Sequence, residues 1–313
     1  MNHKTIFIII TVIIVLALIA GSIFFITVKL NKDEIEAKIR AFNAAQETND
    51  DGIVVDMSGN PYFTEKQFGF DYTAPKTISY YSDITKTERH AMIFLPANYD
   101  ESKEYPVLYL LHGLDGSHRT WRNKSADIIL QNTYYFDDVP EMIVVCANSA
   151  VNEEEDTDDL NIHDKIKVYD LTGDDLVKNL MPYIEENYPV KKGPENTAIA
   201  GNSMGGRNTM YTAFTYPELF GYVGVFSAAN VLPKEGYKGI MHALLDDLTL
   251  DKDFELLMLC VGTTDNVCGN VTYELHDKMN EAGIKHIFYD TEGGHQNTVW
   301  QNALYNFAKK LFK

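Results

Sequence analysis

The stretch Gly201-Asn202-Ser203-Met204-Gly205-Gly206 contains the pattern G-x-S-x-G, a serine flanked by small residues. It follows the short apolar run Thr197-Ala198-Ile199-Ala200 and precedes a segment that reads as a helix. A serine on such a strand-to-helix turn is held in a strained conformation that lifts its hydroxyl above the sheet, and the glycines let strand and helix approach without clashing side chains. Five-residue patterns with three fixed positions also arise by chance, so the partners decide. Asp265 follows the apolar run 255–261, and His295 closes Glu292-Gly293-Gly294 after the apolar run 286–289. The order Ser203, Asp265, His295, each just beyond a strand-like run, is that of an α/β-hydrolase triad. A serine hydroxyl is a poor nucleophile at neutral pH, so His295 would take its proton during attack and return it to the leaving alcohol. Asp265 would hold the imidazole in the required tautomer and stabilise its charged form.

A fourth component lies upstream. Pro106-Val107-Leu108-Tyr109-Leu110-Leu111 reads as a strand, and His112-Gly113-Leu114-Asp115-Gly116 follows it. The loop after such a strand supplies one backbone N–H of an oxyanion hole, and the residue after the nucleophile supplies the other. Leu114 and Met204 are expected in those roles through their amides, each donor contributing roughly 10²–10³-fold in rate. His112 is expected to brace the loop.

The elements that must carry these residues alternate along the chain. A hairpin pair at 77–81 and 89–95 precedes the strand ending at Leu111, a helix over 126–132, a strand over 142–147 and a helix over 174–187. The elbow strand and its helix follow, then a strand over 222–226, the Asp265 strand, a helix over 271–282, the His295 strand and a helix over 298–312. Alternating strands and helices predict an α/β class: an α/β-hydrolase fold with a mostly parallel central sheet and helices on both faces.

With these residues in place, the chain resembles carbohydrate esterase family 1 and the related esterase D group, which together contain feruloyl esterases, acetyl xylan esterases, mycolyltransferases and S-formylglutathione hydrolases. The resemblance rests on Leu110-Leu111-His112-Gly113, Met181-Pro182-Tyr183-Ile184-Glu185, the run from Ala198 to Gly206, Val261-Gly262-Thr263-Thr264-Asp265, and Gly293-Gly294-His295 with Trp300 and Leu304-Tyr305-Asn306-Phe307. It spans roughly residues 62 to 313 and is strongest to clostridial feruloyl esterase modules, which often carry a tryptophan five residues after the histidine. It implies a cofactor-free serine carboxylesterase acting on plant cell-wall polysaccharide esters, with Trp300 near the substrate. Many members carry an aromatic residue two places after the histidine, where this chain has Asn297.

Length and composition bound the remainder. The 313 residues leave room for one domain of about 250 residues and an appendage. A net charge of -18 and the lack of a basic run exclude a nucleic-acid partner. Residues 6–28 are almost unbroken in apolar character between Lys4 and Lys29, and as a helix would extend about 34 Å, enough to cross a bilayer core of about 30 Å. A cleaved signal peptide would usually have a shorter apolar region, and Ile23-Phe24-Phe25-Ile26 runs past the small residues Ala20-Gly21-Ser22. The expectation is an uncleaved single-pass membrane anchor with an extracytoplasmic catalytic domain, secretion after cleavage being the alternative. Lys29, Lys32, Lys38 and Arg40 on the far flank count against that orientation. Residues 30–61 read as a tether, with Ile35, Ile39 and Phe42 at helical spacing, and 62–313 as the esterase domain. Oligomeric state is left open.

Three cysteines, Cys146, Cys260 and Cys268, exclude a full disulfide framework and leave a Cys260–Cys268 bridge open. The acidic run at 153–159 lacks the alternation and glycine of an EF-hand loop, so it reads as a solvated loop and no metal site is expected. Its place after a strand borders the expected site mouth, and Asn148, Trp121 and Tyr169 are candidate substrate contacts on the same grounds, although aromatic residues are more often core. The expected activity is hydrolysis of a small-molecule or polysaccharide ester, feruloyl first, through an acyl-enzyme. Acetyl xylan hydrolysis and acyl transfer are the alternatives, and a surface binding module is the non-enzymatic one.

Overall fold

A computed structural model describes residue 29 and residues 31–229 and 253–313; the segment 6–28, expected as an anchor, lies outside the described residues. Among the described residues eight strands form one sheet: β1 (Lys76–Ser82), β2 (Thr87–Phe94), β3 (Val107–Leu111), β4 (Ile143–Ala147), β5 (Thr197–Asn202), β6 (Tyr222–Phe226), β7 (Leu256–Gly262) and β8 (Ile287–Thr291). Their order is β1-β2-β4-β3-β5-β6-β7-β8. β1 and β2 form an antiparallel hairpin, β2 joins β4 antiparallel, and every later pairing is parallel. The expected α/β-hydrolase architecture is present.

Strand alternation sorts the core into two layers. Val107, Tyr109 and Leu111 point to one face with Ile199, Val223 and Leu257, and there meet Leu180, Met210 and Leu275 from helices. Leu108 and Leu110 point to the other with Ala198, Ala200 and Met258, and meet Trp121, Leu130, Leu304 and Phe307. Burial on both faces is why the central strands read as continuous apolar runs. The first face is covered by α5 (Thr172–Asp175), a π-helical stretch (Leu176–Leu180), α6 (Met181–Asn187), α7 (Met204–Thr215) and α8 (Gly269–Glu281). The second carries the short α2 (Thr120–Asn123), α3 (Ala126–Phe136) and α9 (Asn297–Ala308). The helix expected as one unit over 174–187 is thus interrupted by one π-type turn. The helix α4 (Ile162–Asp170) had no counterpart in the sequence reading; Asn161 caps it by accepting the His163 and Asp164 N–H groups.

Part of the stretch read as a tether is held against the domain. A helix, α1, spans 31–44, and Ile39 is buried against Phe70 and Phe136. Further on, the Val54 N–H donates to Asn306 Oδ1 at 2.9 Å, while Asn302 and Asn306 both donate to the Val54 carbonyl at 2.9 Å. Thr291 Oγ1 donates to the Val55 carbonyl at 2.6 Å. Among the described residues no helix is long and apolar enough to cross a membrane. All three cysteines are buried, and Cys260 and Cys268 form no disulfide.

Candidate active site

β5 delivers Ser203 into the first turn of α7 with φ 57° and ψ −122°, a conformation that costs a non-glycine residue about 1–3 kcal/mol. Hydrogen bonds hold it there: the Ser203 N–H donates to the Phe226 carbonyl at 2.9 Å, and its own carbonyl accepts from Ala229 and Arg207 at 3.0 Å each. A methyl group on Gly205 would fall on the Leu111 carbonyl oxygen, so only glycine allows α7 to pass this close to β3.

His295 and Asp265 converge on this serine from the ends of β8 and β7. His295 Nε2 lies 2.9 Å from Ser203 Oγ, and its Nδ1 lies 2.8 Å from Asp265 Oδ2. Asp265 Oδ1 accepts the Val267 N–H at 3.0 Å and the Cys268 N–H at 2.9 Å. Burial alone would raise the Asp265 pKa, but the Cys268 N–H and the His295 contact hold it below its ordinary value. Its carboxylate therefore stays ionised and forces the Nδ1 proton toward itself. Asp290, the other acid near the His295 loop, instead accepts the Tyr273 hydroxyl at 2.8 Å.

The loop after β3 lies against the nucleophile: a Cβ on Gly113 would sit 3.1 Å from the Ser203 Cβ. Leu114 follows in an exposed position, and Met204 opens α7, where a first-turn N–H has no intrahelical partner. His112 fixes this loop. The Ser149 N–H donates to its Nε2 at 2.9 Å, so the ring proton resides on Nδ1 and is donated to the Gly113 carbonyl at 2.7 Å. Burial pushes the His112 pKa down to about 4, keeping the ring neutral.

Three of the remaining candidates, Trp121, Asn148 and Tyr169, are buried and spend their polar atoms on neighbouring backbone. Trp121 is 1 % exposed and donates its indole N–H to the Leu111 carbonyl at 3.0 Å, supporting the end of β3 from below. Asn148 is buried; its Nδ2 donates to the Glu155 carbonyl at 2.9 Å and its Oδ1 accepts the Ala150 N–H at 3.2 Å. Tyr169 is buried edge-on to His112 and reaches the Gly113 carbonyl at 3.4 Å. Trp300 stands edge-on to His295, with ring centroids 5.0 Å apart. Proximity to the loops was legible in the sequence, but depth was not.

Two features escaped the sequence reading. The first is a buried ion pair, Arg89 Nε to Asp175 Oδ2 at 3.0 Å. Asp175 also accepts from the Tyr80 and Ser82 hydroxyls at 2.6 Å each, while Arg89 donates to the Asn148 and Ala150 carbonyls at 2.7 and 2.9 Å. The hub thereby anchors the 148–150 loop that holds His112. The second is Lys124, buried beside Trp300. Neither carries a sequence signal, because burial of these charges depends on partners distant in the chain.

A cavity of about 490 Å³ opens between residues 56–64 and the His295 loop, with Asp56, Asn60, Phe63, Glu292, Gln296 and Gln301 in its walls. It touches Gly293 and Gln296 on either side of His295 without reaching Ser203.

Comparison with known proteins follows this geometry. Residues 82–311 match the model of the family described as "Putative esterase". A ferulic acid esterase of the anaerobic fungus Anaeromyces mucronatus superposes with a TM-score of 0.73 at 32 % identity, over 80 % of this chain and 95 % of that one. An endo-1,4-beta-xylanase/feruloyl esterase of Xylanibacter ruminicola is 27 % identical, over 75 % of this chain and 31 % of that protein. An acetyl esterase of Caldicellulosiruptor saccharolyticus is 21 % identical, over 75 % of this chain and 97 % of that one. The chain therefore spans about a third of the length of the bacterial xylanase/feruloyl esterase and nearly all of the acetyl esterase.

Proposed function

The chain belongs to the Esterase family, and from that premise we propose that it is a serine carboxylesterase that hydrolyses feruloyl esters of plant cell-wall polysaccharide or its fragments. The observation that carries the reading is the hydrogen-bonded line from Asp265 through His295 to Ser203. In this mechanism His295 Nε2 accepts the Ser203 proton as Oγ bonds to the ester carbonyl carbon. The oxyanion is held by the Leu114 and Met204 amides, and Asp265 stabilises the imidazolium. Collapse breaks the C–O bond to the alcohol, which leaves with the proton from His295. Water, deprotonated by His295, then attacks the acyl-enzyme and releases the carboxylic acid.

The fungal ferulic acid esterase favours a feruloyl acyl group, and the acetyl esterase supports acetyl esters as the second reading. The cavity beside the His295 loop, with amides, carboxylates and one aromatic wall, suits a hydroxyl-rich alcohol. We place residues 6–28 as a membrane anchor that holds the domain outside the cytoplasm; externally added protease should then release the domain from intact cells, and protection would reverse the orientation.

Ser203→Ala tests the core of the proposal. It should lose nearly all turnover of methyl ferulate and 4-nitrophenyl acetate with its thermal unfolding unchanged; retained turnover would overturn the assignment.

A further inference from the structure

Lys124 follows the helical turn Thr120–Asn123 and is 8 % exposed. Its Nζ lies 4.8 Å from the Trp300 ring centroid and 6.0 Å from that of Trp121. Because Trp300 also contacts His295, the ammonium sits two ring contacts from the base. Indole faces offset part of the cost of taking an ammonium out of water, but not all of it. Among the described residues its ammonium has no ion pair and no hydrogen bond, and burial pushes its pKa down to about 8. The group is still mostly charged at neutral pH. The Trp300 indole N–H beside it is also buried without an acceptor among the described residues. Native interiors rarely leave a buried donor unpaired, so the Trp300 N–H, with the Lys124 ammonium over the same ring, points to an oxygen acceptor at this place.

We propose that Lys124 is a specificity-determining residue whose ammonium, with the Trp300 N–H, hydrogen-bonds an oxygen substituent on the aromatic ring of the acyl group. The proposal rests on the esterase reading above and extends it to the acyl side. The Trp300 ring against His295 suits a planar arene, whereas the polar cavity beside the His295 loop, which Trp300 does not line, suits a sugar. The stiff propenoyl arm of a hydroxycinnamoyl group carries its phenolic and methoxy oxygens away from the ester carbon, toward a donor that stands off from Ser203. An acetyl group has no atom that reaches it, and an unsubstituted cinnamoyl group presents only C–H. One hydrogen bond from a charged donor corresponds to roughly 10- to 100-fold discrimination.

Steady-state kinetics on methyl ferulate and methyl cinnamate test this, in the wild type and in Lys124→Met and Lys124→Gln. The wild type should favour ferulate in kcat/KM by roughly 10- to 100-fold, mostly through KM. Lys124→Met should bring that ratio close to one, and Lys124→Gln, which keeps a neutral donor, should hold an intermediate ratio. A wild-type ratio near one overturns the proposal without recourse to any variant. Parallel losses on both esters, leaving the ratio intact, overturn it too, because they mark a structural role. A wild type that hydrolyses neither methyl ester, nor 4-nitrophenyl acetate, removes the esterase reading and this proposal with it.

Discussion

Replacing Asp265 with asparagine exchanges one oxygen for an NH₂ and should lower kcat by about 10³–10⁴-fold. The side chain cannot choose its orientation freely. Oδ1 receives the Val267 and Cys268 N–H groups at 3.0 and 2.9 Å, so the amide oxygen of the asparagine must stay there. A flip would set NH₂ against both donors and leave two N–H groups unpaired, at about 1–3 kcal/mol each. The NH₂ therefore faces His295 Nδ1, which must become an acceptor, and the ring proton moves to Nε2, 2.9 Å from Ser203 Oγ. In that tautomer the base is already protonated. Reaction requires the other tautomer, with N–H against NH₂, and forms an imidazolium with no counter-charge. The stated rate loss corresponds to about 4–5.5 kcal/mol of added barrier. Initial rates on 4-nitrophenyl acetate, with thermal unfolding as the check on folding, measure it. A loss below about ten-fold would refute the assignment of Asp265, and a comparable loss in Asp290→Asn would move the role there.

Arg89→Met strands Asp175 in the interior and should cost about 3–5 kcal/mol, lowering the thermal midpoint by on the order of 10 °C; a shift of only one or two degrees, by scanning calorimetry, would contradict the hub. Gly205→Ala drives a methyl group into backbone oxygen at Leu111 and His112, and should yield insoluble or inactive protein; a soluble, active variant would show that α7 has room to retreat. His112 has a folded pKa of about 4 against about 6.5 when unfolded, so the unfolded chain binds its proton first as pH falls. Stability should decline from about pH 6.5 to about pH 4 and then level for this group, by about 3 kcal/mol in all. Urea midpoints across that window should fall less steeply for His112→Asn, by about one proton's worth of slope; equal slopes would refute the linkage.

The triad was legible because each member follows an apolar strand, and strand ends in a parallel sheet meet on one edge. Ser203, Asp265 and His295 thus came together from order alone. Depth was less accessible: Trp121, Asn148 and Tyr169 lie near the loops in sequence, but their polar atoms are spent on the Leu111, Glu155 and Gly113 carbonyls. The helix α4 escaped because its buried residues are few, Ile166 and Tyr169, and the exposed Ile162 blurs the apolar periodicity among its charged positions. Val54 gave no periodic signal, since its burial depends on backbone bonds to asparagines some 250 positions away.

Those asparagines set a mechanical condition on the enzyme. Val54 and Val55 are tied to Thr291, Asn302 and Asn306, which bracket the segment bearing His295. A pull on the chain ahead of residue 31 is borne first by the contacts of α1 with Phe70, Phe136 and Asp138, and once these part it falls on the footing of the base, across several hydrogen bonds at once. Turnover should respond to tension on that end before the sheet itself yields.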